Sequence, residues 1–66
     1  MGFLSARKKR GLSQAEVAVE LGVSDASVSM WETGKTMPRA SLLVKLANLY
    51  NCSVDDLLKQ DEQVTS

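Results

Sequence analysis

The chain has 66 residues, eight basic and eight acidic side chains, no histidine and a single cysteine. That length allows one small domain, which buries roughly 60% of its unfolded surface and keeps a thin stability margin. Apolar residues at 44% place it among folded chains, while a lone Cys52 with no histidine excludes an internal disulfide and a cysteine–histidine zinc site, so no metal or cofactor is expected.

Five short helices are predicted in chain order, and no strand pattern competes with them, so the fold class is all-α. The domain is expected over 1–60, with a polar, frayed tail over 61–66. The first helix covers Gly2 to Lys9 and stops before Gly11, a residue suited to the left-handed conformation past a helix end. The second opens on Ser13-Gln14-Ala15-Glu16. There the serine caps the amide three residues on and the glutamate reaches back, a capping box. Val17, Ala18 and Leu21 share its inward face, and Gly22 stops it. The third starts from Ser24 as N-cap, carries Val28 and Trp31 on one face, and ends at Gly34. Lys35-Thr36-Met37-Pro38 reads as a loop, since the residue before a proline is biased away from helix.

The fourth helix runs from Ala40 to Tyr50. Leu42, Leu43, Leu46, Ala47, Leu49 and Tyr50 form an apolar sector too wide for a surface helix, which predicts a central position. The fifth covers Ser53 to Lys59, with Ser53 as N-cap and Asp55 and Asp56 in the first turn, where the helix dipole favours them. That placement accounts for both aspartates without a metal. Cys52 occupies the apolar slot before Ser53 and is expected to be buried rather than reactive.

The neutral net charge hides an asymmetry. Up to Arg39 six basic residues face four acidic ones, a balance of +2; beyond it two face four, a balance of −2. Such polarity can turn one face toward phosphates, and it is equally a set of solvated faces. No segment approaches the roughly 20 apolar residues that span a bilayer. Arg7-Lys8-Lys9-Arg10 follows the first apolar residues, the reverse of a secretory signal, so no membrane partner and a cytoplasmic location are expected. Enzyme activity is not expected either. There is no histidine base, no glycine-rich phosphate loop, no partnered nucleophile, and no room for a small-molecule pocket.

The informative stretch is Gln14 to Thr33. Two short helices joined by a tight glycine-containing turn make a bihelix whose second member enters the DNA major groove. That geometry needs a small residue where the helices touch (Ala18), a glycine in the turn (Gly22), and apolar pins on both helices and the turn. Val17, Leu21, Val23, Val28 and Trp31 supply the pins. Trp31, spaced on the face of Val28, is expected in the core rather than as a stacking platform.

Gly11-Leu12-Ser13-Gln14-Ala15-Glu16-Val17-Ala18, Leu21-Gly22-Val23-Ser24, Val28-Ser29-Met30-Trp31-Glu32-Thr33-Gly34-Lys35 with Pro38, Leu46-Ala47, and Cys52-Ser53-Val54-Asp55-Asp56-Leu57-Leu58 follow in order. This ordered set resembles the phage Cro and phage-repressor family of helix-turn-helix regulators, also called the xenobiotic-response-element (XRE) family, from Arg7 to Leu58. The resemblance implies a lambda-repressor-like bundle with the bihelix formed by helices 2 and 3. It also implies that Ser24, Asp25, Ala26, Ser27 and Met30 face the bases. Gln14 matches a backbone-phosphate ligand, and Thr33, Gly34 and Lys35 match a loop whose amides and side chains contact phosphate. Arg7 and Glu32 match a partly buried ion pair between the first helix and the end of the third. Arg10, from the basic run, and Arg39, which stands where relatives often have a capping serine, join the phosphate set. For Met30, filling space and touching DNA both remain open.

Arginine, lysine, asparagine and glutamine, the strong readers of base edges, are missing from the third helix. Asp25 can accept from a cytosine amino group, Ala26 can pack on a thymine methyl, and Ser27 can serve several bases. Affinity is therefore expected largely from phosphates and DNA shape. The expected partners are double-stranded DNA and a second copy of the chain, at least on DNA, with Tyr50, Asn51, Val54 and Leu57 as dimer contacts. The expected function is a repressor on a near-palindromic operator, with recognition helices roughly 34 Å apart. Two other readings stand beside it: a protein-interaction module on the same fold with weak or lost DNA binding, and the DNA-binding fragment of a longer repressor.

Overall fold

A computed structural model describes residues 2–59, so the expected tail over 61–66 lies outside the described residues. Five helices follow one another: α1 (Phe3–Lys9), α2 (Gln14–Leu21), α3 (Asp25–Thr33), α4 (Ala40–Tyr50) and α5 (Val54–Leu58). Local chemistry accounts for most of their boundaries. Ser13 Oγ accepts from the Glu16 amide at 3.0 Å while Ser13 N donates to Glu16 Oε1 at 2.8 Å, so the capping box is complete. Ser24 and Ser53 cap α3 and α5 by accepting from the Ser27 and Asp56 amides at 3.2 and 3.0 Å. A cap of this kind contributes about 1 kcal/mol. Gly2 and Arg39 stand at the starts of α1 and α4 without any side-chain cap bond.

α2, α3 and α4 stop at left-handed residues, whereas α1 ends at Arg10 one residue before the left-handed Gly11 and α5 runs into an extended Lys59. Gly22 closes α2 at φ +71°, where a side chain would be strained, and this sharp turn sets the direction in which α3 leaves. Asn51 closes α4 at φ +57°, the one non-glycine with positive φ among the described residues. Asparagine tolerates this region better than most side chains. Its amide donates to Asn48 O at 3.2 Å and that of Cys52 to Ala47 O at 2.9 Å, satisfying carbonyls at the end of α4.

The core gathers one to three residues from each helix: Ala6 from α1, Val17 and Ala18 from α2, Val28 and Trp31 from α3, Leu46, Ala47 and Tyr50 from α4, and Leu57 from α5. α2 packs on α3, α1 reaches α3, α4 and α5, and α4 reaches α1, α2 and α5. The wide apolar sector of α4 is thus covered from three sides, although Leu42, Leu43 and Leu49 are only half-buried. α1 holds an equally connected place through Ala6, which has no exposed surface. Pro38 is buried and pins the loop between α3 and α4. Cys52 is half-buried against the core, and burial raises its thiol pKa.

Two residues expected at a dimer surface are core residues instead. Tyr50 is 4% exposed and Leu57 1% exposed. The heptad-like spacing of Leu46, Ala47 and Tyr50 turns the tyrosine inward, and α5 can bury only one face, which takes Leu57. Asn51 and Val54 keep exposed or half-exposed surface.

Burial pushes the Tyr50 phenol up to about 12, and the nearby Glu32 carboxylate adds to the shift. A phenol whose folded pKa lies above its ordinary value of 10.0 holds its proton longer in the native state. Its stabilising contribution is therefore full below pH 10 and is lost as pH rises from 10 toward 12. Tyr50 is the only tyrosine, so phenolate absorbance reads it alone. The native protein is expected to titrate near 12 and the denatured chain near 10; a native midpoint near 10 contradicts the burial.

Candidate nucleic-acid interface

The start of α3 is the open end of the bihelix. Ser24, Asp25 and Ala26 are exposed, whereas Ser27 and Met30 are half-buried. Ser24 and Ser27 share a hydroxyl–hydroxyl hydrogen bond at 3.1 Å, and Ser24 Oγ also caps the Ser27 amide. One of the expected base-facing pairs is thus partly engaged with itself. The amides of Asp25 and Ala26 lie in the first turn, where an α-helix has no internal acceptor to offer them. Asp25 is favoured there by the helix dipole. Together these groups present a small, shallow surface with few donors, able to lie close against a groove floor.

The residues expected to meet phosphate divide sharply. The loop after α3 cannot offer its amides. Gly34 N donates to Trp31 O at 3.3 Å, Lys35 N to Met30 O at 3.0 Å and Thr36 N to Met30 O at 3.5 Å. Gly34, at φ +82°, makes this closure possible. The Thr33 hydroxyl is turned inward as well, donating to Met30 O at 3.3 Å. The charge this loop presents outward is the exposed Lys35 side chain. Arg39 is exposed at the start of α4 and makes no cap bond. Arg10 is engaged elsewhere, with Nε donating to Leu49 O at 3.3 Å, so it ties α1 to the end of α4.

Arg7 and Glu32 are brought together at the centre. Arg7 Nε donates to Glu32 Oε2 at 2.5 Å and Nη2 to Oε1 at 3.3 Å, with side-chain exposures of 12% and 5%. Nη1 donates to Leu12 O at 2.8 Å. One guanidinium therefore joins the last turn of α3 to the segment leading into α2. The hydrogen bond to Glu32 is the main reason the Arg7 pKa is raised, so the arginine stays charged despite desolvation. Gln14 Nε2 donates to Glu32 Oε1 at 2.8 Å, an interaction that the sequence pattern does not reveal. The Arg10–Leu49 bond is equally hidden, because its partners are 39 residues apart. The αL role of Asn51 had a local signal: an asparagine directly after an apolar helix and before a serine N-cap.

Removing one member of a desolvated pair strands the other. Arg7→Met is expected to lower the unfolding free energy by about 3 kcal/mol, the lower end for a buried pair, because it leaves the partly buried Glu32 side chain without its partner. Arg7→Met with Glu32→Leu should recover most of that loss in urea unfolding. A single-variant loss below about 1 kcal/mol, the scale of a surface pair, contradicts the buried placement.

Comparison with known proteins agrees with this geometry. The helix-turn-helix family model matches residues 4–57. The HTH-type transcriptional regulator ImmR of Bacillus subtilis (strain 168) is 42% identical over 57 residues, which cover 86% of this chain and 45% of ImmR. Repressor protein C2 of Salmonella phage P22 is 38% identical over 60 residues, 91% of this chain and 28% of C2. An uncharacterized HTH-type transcriptional regulator of Archaeoglobus fulgidus is 33% identical over 57 residues, 86% of this chain and 81% of that protein. The chain thus spans less than half the length of ImmR or C2. No solved structure matches it. Among the described residues no helix is long and apolar enough to cross a membrane. On its motif, its five-helix bundle and these matches, the chain belongs to the XRE-type helix-turn-helix family.

Proposed function

We propose that this chain is a sequence-specific double-stranded DNA-binding transcriptional regulator, a repressor that acts as a two-fold dimer on a near-palindromic operator. The observation that carries the reading is the open first turn of α3, with Ser24, Asp25 and Ala26 exposed on a bihelix of DNA-binding geometry. The names of ImmR and C2, a transcriptional regulator and a repressor, support the biological role.

In this reading the first turn of α3 enters the major groove. Asp25 accepts from a cytosine amino group, Ala26 packs on a thymine methyl, and Ser27 and Met30 line the edge of the contact. Gln14, Lys35 and Arg39 hold the backbone. With so few base readers, DNA shape carries a large part of the selectivity. A second copy covers surface from α4 and α5, where Asn51 and Val54 are joined by the exposed apolar side chains of Val44 and Leu58.

Selection from random duplex DNA should enrich inverted half-sites whose centres lie roughly 34 Å, one helical turn, apart. Lys35 and Arg39 give a dimer four phosphate-facing cations, so log affinity should fall against log salt with a slope of about −4. Lys35→Ala should reduce that slope by about 2 while leaving the unfolding midpoint in place. Arg39→Ser should weaken DNA binding and stabilise the fold by about 0.5–1 kcal/mol, because it supplies the missing cap. Absence of salt-sensitive, sequence-preferring binding overturns the reading and favours a protein-interaction role for the same fold.

A further inference from the structure

We propose that Glu32 is a positioning residue for DNA binding: it holds the Gln14 amide so that one of its N–H groups stays on the protein and the other is presented to a DNA phosphate. The inference rests on the DNA-binding reading and adds to it a residue that touches no DNA.

The Glu32 carboxylate accepts from three N–H groups. Oε2 takes Arg7 Nε, and Oε1 takes both Arg7 Nη2 and Gln14 Nε2, the last at 2.8 Å. A carboxylate can only accept, so the nitrogen of the Gln14 amide must face it, which removes the ambiguity between the two flipped orientations. Nε2 carries two hydrogens, and Glu32 engages one of them. The other is left beside the first turn of α2, whose Gln14 and Ala15 amides have no acceptor within the helix. A phosphate at this corner meets an aligned side-chain donor rather than a glutamine sampling many rotamers. Holding the side chain in place beforehand lowers the entropy lost on binding.

Arg7 completes the device in two ways. Its charge neutralises a carboxylate that would otherwise repel the phosphate. Its Nη1 bond to Leu12 O, at 2.8 Å, also fixes the backbone two residues before Gln14. A chain of bonds therefore runs from α1 through the end of α3 to the first residue of α2. With a side-chain exposure of 5%, Glu32 is poorly placed to meet DNA directly. Its influence on affinity must pass through the group it holds.

A double-mutant cycle on the most enriched duplex from the selection tests this. Gln14→Met removes the amide and keeps the side-chain length, and Glu32→Gln keeps the shape and removes the charge. Glu32→Gln should weaken binding about fivefold, the scale of one ordinary hydrogen bond. In the Gln14→Met background the same change should have almost no effect, because the group it positions is gone. Equal fold-losses in both backgrounds overturn the proposal, since they indicate a general structural role. The unmodified protein supplies a second readout that does not depend on variant folding. One Gln14 Nε2 proton should exchange slowly in the free chain, and the Gln14 Nε2 resonances should shift when the duplex is added. Resonances unmoved by DNA overturn the proposal. A wild-type chain that does not bind the duplex refutes the DNA-binding reading together with this one; binding with additive losses refutes only the positioning role.

Discussion

A single desolvated guanidinium governs the geometry of this small protein. Arg7 reaches from α1 to the carboxylate at the end of α3 and to the carbonyl that precedes α2. A partly buried ion pair of this kind is weak as a source of stability, because desolvation offsets much of its Coulomb attraction. Its effect is directional. Apolar contacts among Val17, Ala18, Val28 and Trp31 hold α2 and α3 together without specifying their rotation to within a hydrogen bond. The three bonds of Arg7 and the Gln14–Glu32 bond do specify it. They determine where the first turn of α2 stands relative to the last turn of α3.

The same network explains how a chain of zero net charge can face a polyanion. Of the four acidic residues in the basic half, Glu32 is neutralised by Arg7, whereas Glu16 stays an exposed carboxylate in the capping box. Glu20 and Asp25 remain exposed, against exposed Lys8, Lys9, Arg10, Lys35 and Arg39. The field outside the domain is therefore more positive on this half than the sum over the chain suggests. The compensating Asp55 and Asp56 sit at the start of α5, where they serve the helix dipole. Charge counted along a sequence is a poor guide here, because pairing removes some charges and position separates the others.

What was legible in the sequence was whatever a window of a few residues contains. The three serine caps, the complete box at Ser13–Glu16 and the glycine turn at Gly22 are contacts within about one helical turn, and the structure has each of them. The inward face of α2 and the burial of Trp31 followed from helical spacing in the same way. The sequence is least informative where a side chain's fate depends on distant segments. Tyr50 lies on the apolar face of α4 that helical spacing turns inward, whereas Leu57 carries no such local mark and is buried by the packing of α5 against α1 and α4. The Thr33–Lys35 loop looks open in sequence, yet closure of the α3 C-terminus takes up its amides. Arg10 and Gln14 found partners 39 and 18 residues away, beyond the reach of any periodicity. The scaffold was therefore more legible than the donor inventory of the surface it carries.

Backbone-amide NMR mapping during a DNA titration tests most directly the claim that α3 and its two flanking corners form the contact surface. The shifts should concentrate on Gln14 and Ala15, on Ser24 to Ser27, and on Thr33 to Lys35. The groove between α2 and α4 offers an internal control: Val19 is 82% exposed and lines it with Leu12, Glu20 and Leu49. Quiet resonances at Val19 and Leu49 beside strong shifts at the start of α3 would be the predicted result. Shifts centred on that groove, with Ser24 to Ser27 unmoved, would contradict the account.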